Sequence, residues 1–171
     1  MGGTTSNPTY KEVCSGATNH AEVVEVEFDP SRISFDDLLI AFWQMHDPTT
    51  LNRQGNDIGT QYRSAIFYTS EEQKNAAIRS RDIYQSELTK QGFDQITTEI
   101  TKAPEYWNAE EYHQQYLARP GSRPYCSARP SGVLLDAFEG SNYKLPATVW
   151  SHYDWSIDHC VLRGDNTPIG L

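Results

Sequence analysis

Residues 53 to 68 read RQGNDIGTQYRSAIFY, a polar loop with two glycines that runs directly into an apolar strand. Gly55 and Gly59 open backbone conformations closed to other residues, and Asn56 and Asp57 are turn formers whose side chains bond back to the main chain. The loop is therefore shaped, and it holds Asp57 and Tyr62 within reach of each other at a sheet edge. Composition alone also fits an ordinary polar turn before a core strand. Ser64 to Tyr68 shows no strict alternation, as expected of a strand covered on both faces.

Outward from this stretch, strands and helices alternate. Downstream, Ser70 with Gln73 forms a capping box and predicts a helix to about Lys90, with Gly92 supplying its terminal turn and its charges a solvated face. Ile96, Thr98 and Ile100 alternate as a further strand. Asn108 with Glu111 forms a second capping box before the short helix AEEYHQQYL, residues 109 to 117. Upstream, Ser34 caps a helix with apolar positions Phe35, Leu38, Leu39 and Phe42, closed by His46-Asp47-Pro48. Before it, Ala21 to Phe28 alternates as a strand, with Val24, Val26 and Phe28 on one face. Asn7-Pro8-Thr9-Tyr10 has turn chemistry, with Asn7 biased to an extended shape and Tyr10 at a bend. The order strand, helix, strand, helix, strand, helix predicts an α+β fold, a two-layer sandwich of helices on a mixed sheet.

Composition narrows the function. The 171 residues carry 23 acidic and 14 basic side chains, a net charge of −9, and no basic cluster, which disfavours nucleic acid and anionic membrane surfaces as partners. The longest apolar run, Leu38 to Trp43, is far short of the roughly 20 residues that span a bilayer. Three cysteines without a CxxC describe neither a disulfide scaffold nor a zinc site, but suit thiol chemistry in a reducing compartment. His46, Asp47, Asp57 and His113 are candidate metal ligands by residue type, but their spacing matches no recognised set. Met1-Gly2-Gly3-Thr4-Thr5-Ser6 fits the myristoylation pattern; Met1 reads better as an internal methionine taken as a start. NPTY also fits a peptide signal for phosphotyrosine-type domains, a reading discounted inside a folded domain.

Glu22 shares parity with the apolar face of its strand. A carboxylate there is partly desolvated, which favours its protonated form and suits a proton donor; the alternative is a solvated cap of the sheet edge.

The strings NPTYKEVCSGATNHAE, HDP, RQGNDIGTQYRSAI, TEI and AEEYHQQYL together resemble the A-type peptide methionine sulfoxide reductases over about residues 2 to 117. Asn19 stands where the family usually has glycine, a mild change because Asn tolerates a left-handed backbone. The resemblance implies a ferredoxin-like α+β core over residues 1 to 125, then a resolving-cysteine loop and tail over 126 to 171. It implies that Glu22, Tyr10, Tyr62 and Asp57 line a sulfoxide pocket, with Glu22 giving the proton, the phenols bonding the oxygen and Asp57 supporting them. The chemistry fits these residue types. When a thiolate attacks sulfur, negative charge grows on oxygen, where a neutral acid and two phenols stabilise it.

The family's nucleophile motif, GCFWG, is absent from the 171 residues and is expected upstream. Without that strand the resemblance implies an open sheet edge prone to association. Cys14 matches a family cysteine that is not the nucleophile, and Val13 beside it suggests a partly buried thiol. Cys126 resembles the resolving cysteine, its usual partner position falls at Leu134, and Cys160 is assigned the second role. The implied partners are oxidised protein or peptide methionine and a thioredoxin-type dithiol, with no bound cofactor or metal, no nucleic acid and no membrane. A monomer in the cytoplasm is expected, with an upstream targeting segment left open. The competing reading is a catalytically silent module that binds oxidised methionine side chains.

Overall fold

The computed structural model describes residues 1–114, 116 and 129–135. Its order is helix α1 Tyr10–Cys14, helix α2 Phe35–Gln44, strands β1 Arg53–Gln54 and β2 Asp57–Ile58, a 3₁₀ turn Thr60–Tyr62, strand β3 Ala65–Tyr68, helix α3 Glu71–Lys90, strand β4 Glu99–Lys102 and a 3₁₀ turn Glu111–His113.

The two long helices begin and end where the sequence signals them. Ser34 caps α2 in a full box with Asp37, and Ser70 accepts the Gln73 amide at the start of α3. The Gln73 side chain turns instead to the Thr69 backbone, at 2.8 Å. At the far end Gly92 takes φ 82°, a left-handed position that glycine adopts without strain. There the Phe93 N–H reaches back to the Leu88 carbonyl at 3.0 Å.

The core lies between α2 and α3. Ile40, Trp43, Ala77, Tyr84 and Leu88 are wholly buried there, with Ile66 of β3 and Ile100 of β4 packed against them. Helices thus form one layer and β3–β4 the other, as α+β architecture requires. The Trp43 indole N–H donates to Ser80 Oγ at 2.8 Å, satisfying a polar atom that burial would otherwise penalise. Residues 131–135 join this core. The Tyr84 hydroxyl donates to the Val133 carbonyl at 2.9 Å, and Gln44 Nε2 donates to the Leu135 carbonyl at 3.2 Å. The expected division at residues 125 and 126 falls outside the described residues.

The strand pattern departs from the sequence reading. Instead of one mixed sheet, β1 pairs antiparallel with β2 and β3 pairs parallel with β4, Ala65 opposite Glu99. The strand expected from Ile96 starts only at Glu99, because earlier amides are taken elsewhere: Ile96 N–H by Gln85 Oε1 at 2.6 Å and Thr97 N–H by the Pro48 carbonyl at 2.8 Å. The expected helix at 109 to 117 is a single 3₁₀ turn among the described residues, with no side-chain cap from Asn108.

The largest difference is at Ala21 to Phe28, which forms no strand. Met1 and Ala21 exchange two main-chain hydrogen bonds, at 2.8 and 2.9 Å, one rung of an antiparallel pair. Beyond it, residues 23 to 28 join no ladder, and Val24 and Val26 are 85% and 56% exposed. Alternation supplies a strand's faces, whereas a strand also needs a lateral partner, and none is present among the described residues.

Leu88→Ala should cost about 2–5 kcal/mol in urea unfolding, as for a fully buried leucine. Val24→Lys should stay within about 0.5 kcal/mol and should weaken any self-association seen by sedimentation at rising concentration. A large loss of stability in Val24→Lys would show that this segment is packed.

Candidate functional site

The first part of the site is built by a cap. Thr9 accepts the Glu12 amide, and the Glu12 carboxylate accepts the Thr9 N–H at 2.7 Å. The five-residue helix α1 that this box starts sets Tyr10 and Cys14 one turn apart on one face. Tyr10 is therefore the first residue of a helix rather than a bend. Asn7 before it takes φ 46°, so tolerance of the left-handed region outweighs the extended bias imposed by Pro8. Asn19 likewise takes φ 55°, as expected where the family has glycine. Glu110 accepts the Tyr10 N–H at 3.0 Å, and the Tyr10 and His113 rings lie 4.4 Å apart.

The second part is the central loop. β1 and β2 form a hairpin that carries Asp57, and the Gly59 N–H closes onto the Asn52 carbonyl at 2.9 Å. The 3₁₀ turn then presents Tyr62. Glu22 is tied to this turn by its N–H, which donates to the Gln61 carbonyl at 2.9 Å. Glu22 and the turn bearing Tyr62, distant in sequence, thus meet, while α1 is held against residues 110–113.

The electrostatics follow from that meeting. Tyr10 is pushed up to about 12, first by its hydrogen bond to Cys14, then by the charge of Cys14, partial burial, Glu22 and Tyr62. Tyr62 is raised by burial, then by Glu22, Asp57 and Cys14, against a lowering hydrogen bond from Gln61. Glu22 is raised by desolvation, against a lowering from His113 and with a further rise from Asp57. Tyr10 and Tyr62 thus both sense Glu22, and Glu22 and Tyr62 both sense the charge of Asp57. The shifts of Tyr10, Glu22 and Tyr62 each favour the protonated form.

Two expectations change. Cys14 is exposed rather than partly buried. Of the face headed by Glu22, Val24 and Val26 are exposed and Phe28 is half-buried against Phe35, and Glu22 itself is exposed, so its partial desolvation does not come from a buried strand face. Cys126 and Cys160 lie outside the described residues.

Of the candidate metal ligands, His46 and Asp47 are engaged elsewhere. His46 contacts the Phe42 carbonyl through Nδ1 and Ser64 Oγ through Nε2, both at 2.8 Å, and Asp47 accepts the Thr49 N–H at 2.9 Å. Among the described residues no three His, Cys, Asp or Glu side chains cluster as a metal site. A cleft of about 500 Å³ lies along Gly2, Arg63, Phe67, Glu99 and Lys102, and none of the four site residues lines it.

Sequence reasoning passed over Gln61, Glu110 and His113 as site neighbours. The signal for α1 was present in Thr9-Tyr10-Lys11-Glu12, a capping box hidden inside NPTY. Nothing local signalled that His113 would stack on Tyr10.

Residues 1–143 match the family model described as Peptide methionine sulfoxide reductase. The chain belongs to this family. Peptide methionine sulfoxide reductase MsrA of Pseudomonas entomophila is 57% identical over 134 residues, covering 78% of this chain and 60% of the relative. The Pseudomonas putida protein of the same name is 56% identical with the same coverage. The chain therefore spans about three fifths of the length of these relatives. Among solved structures, methionine sulfoxide reductase A of Corynebacterium diphtheriae superposes with a TM-score of 0.69 at 44% identity, over 81% of this chain and 68% of that one. Mxr1 from Saccharomyces cerevisiae in reduced form gives a TM-score of 0.63 at 38% identity, over 70% and 63%.

The raised Glu22 carboxyl has a consequence for stability. Folded Glu22 titrates above its ordinary 4.5, so its ionisation opposes folding above that pH, and this cost is absent below it. Glu22→Gln should therefore melt higher than the parent at pH 7 to 8, by at most about 2 °C because the residue is partly exposed. The gain should vanish near pH 4, as followed by circular dichroism. A Glu22→Gln protein that melts lower at pH 8 would reverse the sign assigned to this group.

Proposed function

We propose that this chain carries the sulfoxide-binding and proton-donating half of a peptide-methionine (S)-S-oxide reductase, which repairs oxidised methionine in proteins. The observation that carries the reading is the Glu22 N–H bond to the Gln61 carbonyl, 2.9 Å long, which sets Glu22 beside the turn bearing Tyr62, and the upward shifts of Glu22, Tyr62 and Tyr10 support it. On this reading the sulfoxide oxygen accepts hydrogen bonds from both hydroxyls, Asp57 supports the cluster, and Glu22 delivers the proton as a thiolate attacks sulfur. Donors set in advance where charge develops lower the barrier without reorganising during the step.

The reaction balances through sulfur. Attack and protonation release methionine and leave a cysteine sulfenic acid. A second thiol displaces water from it to give a disulfide, and a dithiol then reduces that bond. We assign the first thiolate to the family's GCFWG motif, which the 171 residues do not contain, and the recycling thiols to Cys126 and Cys160. The reductant is a thioredoxin-type protein in the cytoplasm, the working form is a monomer, and no bound cofactor is required.

The test compares the 171-residue chain with a form extended upstream by a family segment carrying GCFWG, using a peptide (S)-sulfoxide and dithiothreitol. The short form should be inactive, because loss of the nucleophile removes the covalent route. The extended form should turn over, and Tyr62→Phe should lower its rate about 10²–10³-fold. Inactivity of both forms would favour a binding module. Activity of the short form lost on Cys14→Ser would move the nucleophile to Cys14.

A further inference from the structure

We propose that residues 129 to 135 form a strap between the helical core and the site hairpin, with Tyr84 holding its fixed end and Arg129 latching Asn56, and that this strap positions Asp57 for substrate. The last clause rests on the function proposed above, and the rest does not.

The fixed end is built on one hydroxyl. Tyr84 is wholly buried on α3, and a phenol has one proton to give. That proton goes to the Val133 carbonyl at 2.9 Å, so the Ser131 hydroxyl, 2.8 Å away, donates to the phenol oxygen. Ser131 Oγ in turn accepts the Val133 N–H at 3.2 Å. The bonds close a ring in which each proton is used once. Burial pushes Tyr84 up to about 12, against a lowering hydrogen bond from Ser131, so the proton that holds Val133 is kept at neutral pH.

Gly132 makes this ring possible. It takes φ 76°, a left-handed shape that glycine adopts without strain, and so lets the residues on either side of it reach the same hydroxyl. A second anchor follows at Leu135, whose carbonyl accepts from Gln44 Nε2 at 3.2 Å and whose side chain is buried in the core. Undocking this end would strand several buried polar groups, each at a cost.

The other end is of a different kind. Arg129 Nη2 donates to Asn56 Oδ1 at 3.2 Å, an exposed bond. Asn56 sits with Gly55 in the turn between the paired residues Gln54 and Asp57. Among the described residues β1 and β2 pair only with each other, so the hairpin gains a lateral tie from this contact. About 7 Å of chain joins Arg129 to Ser131, and Pro130 between them stiffens it. The hairpin tip is therefore bound to a buried anchor by a short, stiff span. An exposed bond is worth less than a buried ring, so the latch opens and closes while the strap stays docked. Asp57, the next residue after Asn56, moves with the turn.

The experiment follows amide hydrogen exchange by NMR in the full 171-residue chain. The reporter is Gly59, whose N–H closes the hairpin on the Asn52 carbonyl, read relative to Ala103, whose N–H bonds the Tyr68 carbonyl at 2.8 Å beside the other sheet. Arg129→Met should speed relative exchange at Gly59 about 2- to 5-fold, one modest hydrogen bond's worth. Arg129→Lys, which keeps a donor, should stay near the parent. Tyr84→Phe should act like Arg129→Met, and so should Gly132→Ala, which strains the strap with nothing within 4 Å of the added Cβ. Arg129→Met combined with either should exchange no faster than the faster single variant, because both cut one tie. A Gly59 amide unmoved in Arg129→Met, or effects that multiply in both combined variants, would overturn the strap.

A second arm adds a peptide (S)-sulfoxide to the parent and to Arg129→Met. Binding weakened about 2- to 5-fold by the variant supports the positioning of Asp57. Equal binding by both overturns that clause. No binding by the parent would overturn it together with the sulfoxide reading, while the exchange ratios decide the strap by themselves.

Discussion

The hydrogen bond from the Glu22 amide to the Gln61 carbonyl, 2.9 Å long, sets the geometry on which the site depends. On one side of it lies the N-terminal segment, held by the Met1–Ala21 rung and by His20, whose Nδ1 accepts the Gly3 N–H at 3.2 Å and whose Nε2 donates to the Thr5 carbonyl at 2.7 Å. On the other side lies the hairpin and 3₁₀ turn, anchored through β3 to the helical core. A main-chain bond of this kind is independent of which side chains flank it. Glu22, Tyr62 and their neighbours inherit a fixed separation from the backbone instead of having to find one another.

The core serves this arrangement from a distance. Ser64, one step before β3, links His46 of the α2 terminus to Thr98 before β4, through contacts of 2.8 and 2.7 Å. Burial lowers the His46 ring's affinity for a proton, against raising contributions from the Phe42 carbonyl and Asp47. With its Nδ1–H spent on a carbonyl, the neutral ring accepts from Ser64. The same buried string that aligns the helix end with both strands thus keeps the turn bearing Tyr62 in register. Around the site, burial leads the upward shifts of Glu22 and Tyr62, and the hydrogen bond to Cys14 leads that of Tyr10.

Much of this was legible in the sequence. Caps and periodicity gave α2 and α3 because those signals are local, acting within a turn or two of the residue that carries them. The RQGNDIGTQYRS run and the family strings pointed to Tyr10, Glu22, Asp57 and Tyr62, the residues of the proposed site. What failed was lateral. Val24 and Val26 alternate as a strand should, yet strand formation is decided by a neighbour that alternation does not describe. The 109 to 117 stretch carried a capping box in Asn108 and Glu111, yet among the described residues it forms one 3₁₀ turn without a side-chain cap, while Glu110 beside it accepts the Tyr10 N–H from a hundred residues away. Gln61 read as an ordinary polar residue and His113 only as a candidate metal ligand, since only tertiary contact, with the Glu22 N–H and the Tyr10 ring, gives them a part in the site.

The central claim is that Tyr10, Glu22 and Tyr62 form one receptor for a sulfoxide oxygen of defined configuration. The most direct measurement is a structure-resolved titration of the chain, with ¹³C-labelled tyrosines, against a blocked methionine (S)-sulfoxide and separately its (R) epimer. The account predicts saturable shifts at Tyr10 and Tyr62 with the (S) epimer, markedly weaker with (R), and none at Tyr84. Equal response to both epimers, or shifts that leave Tyr10 and Tyr62 unmoved, would contradict it.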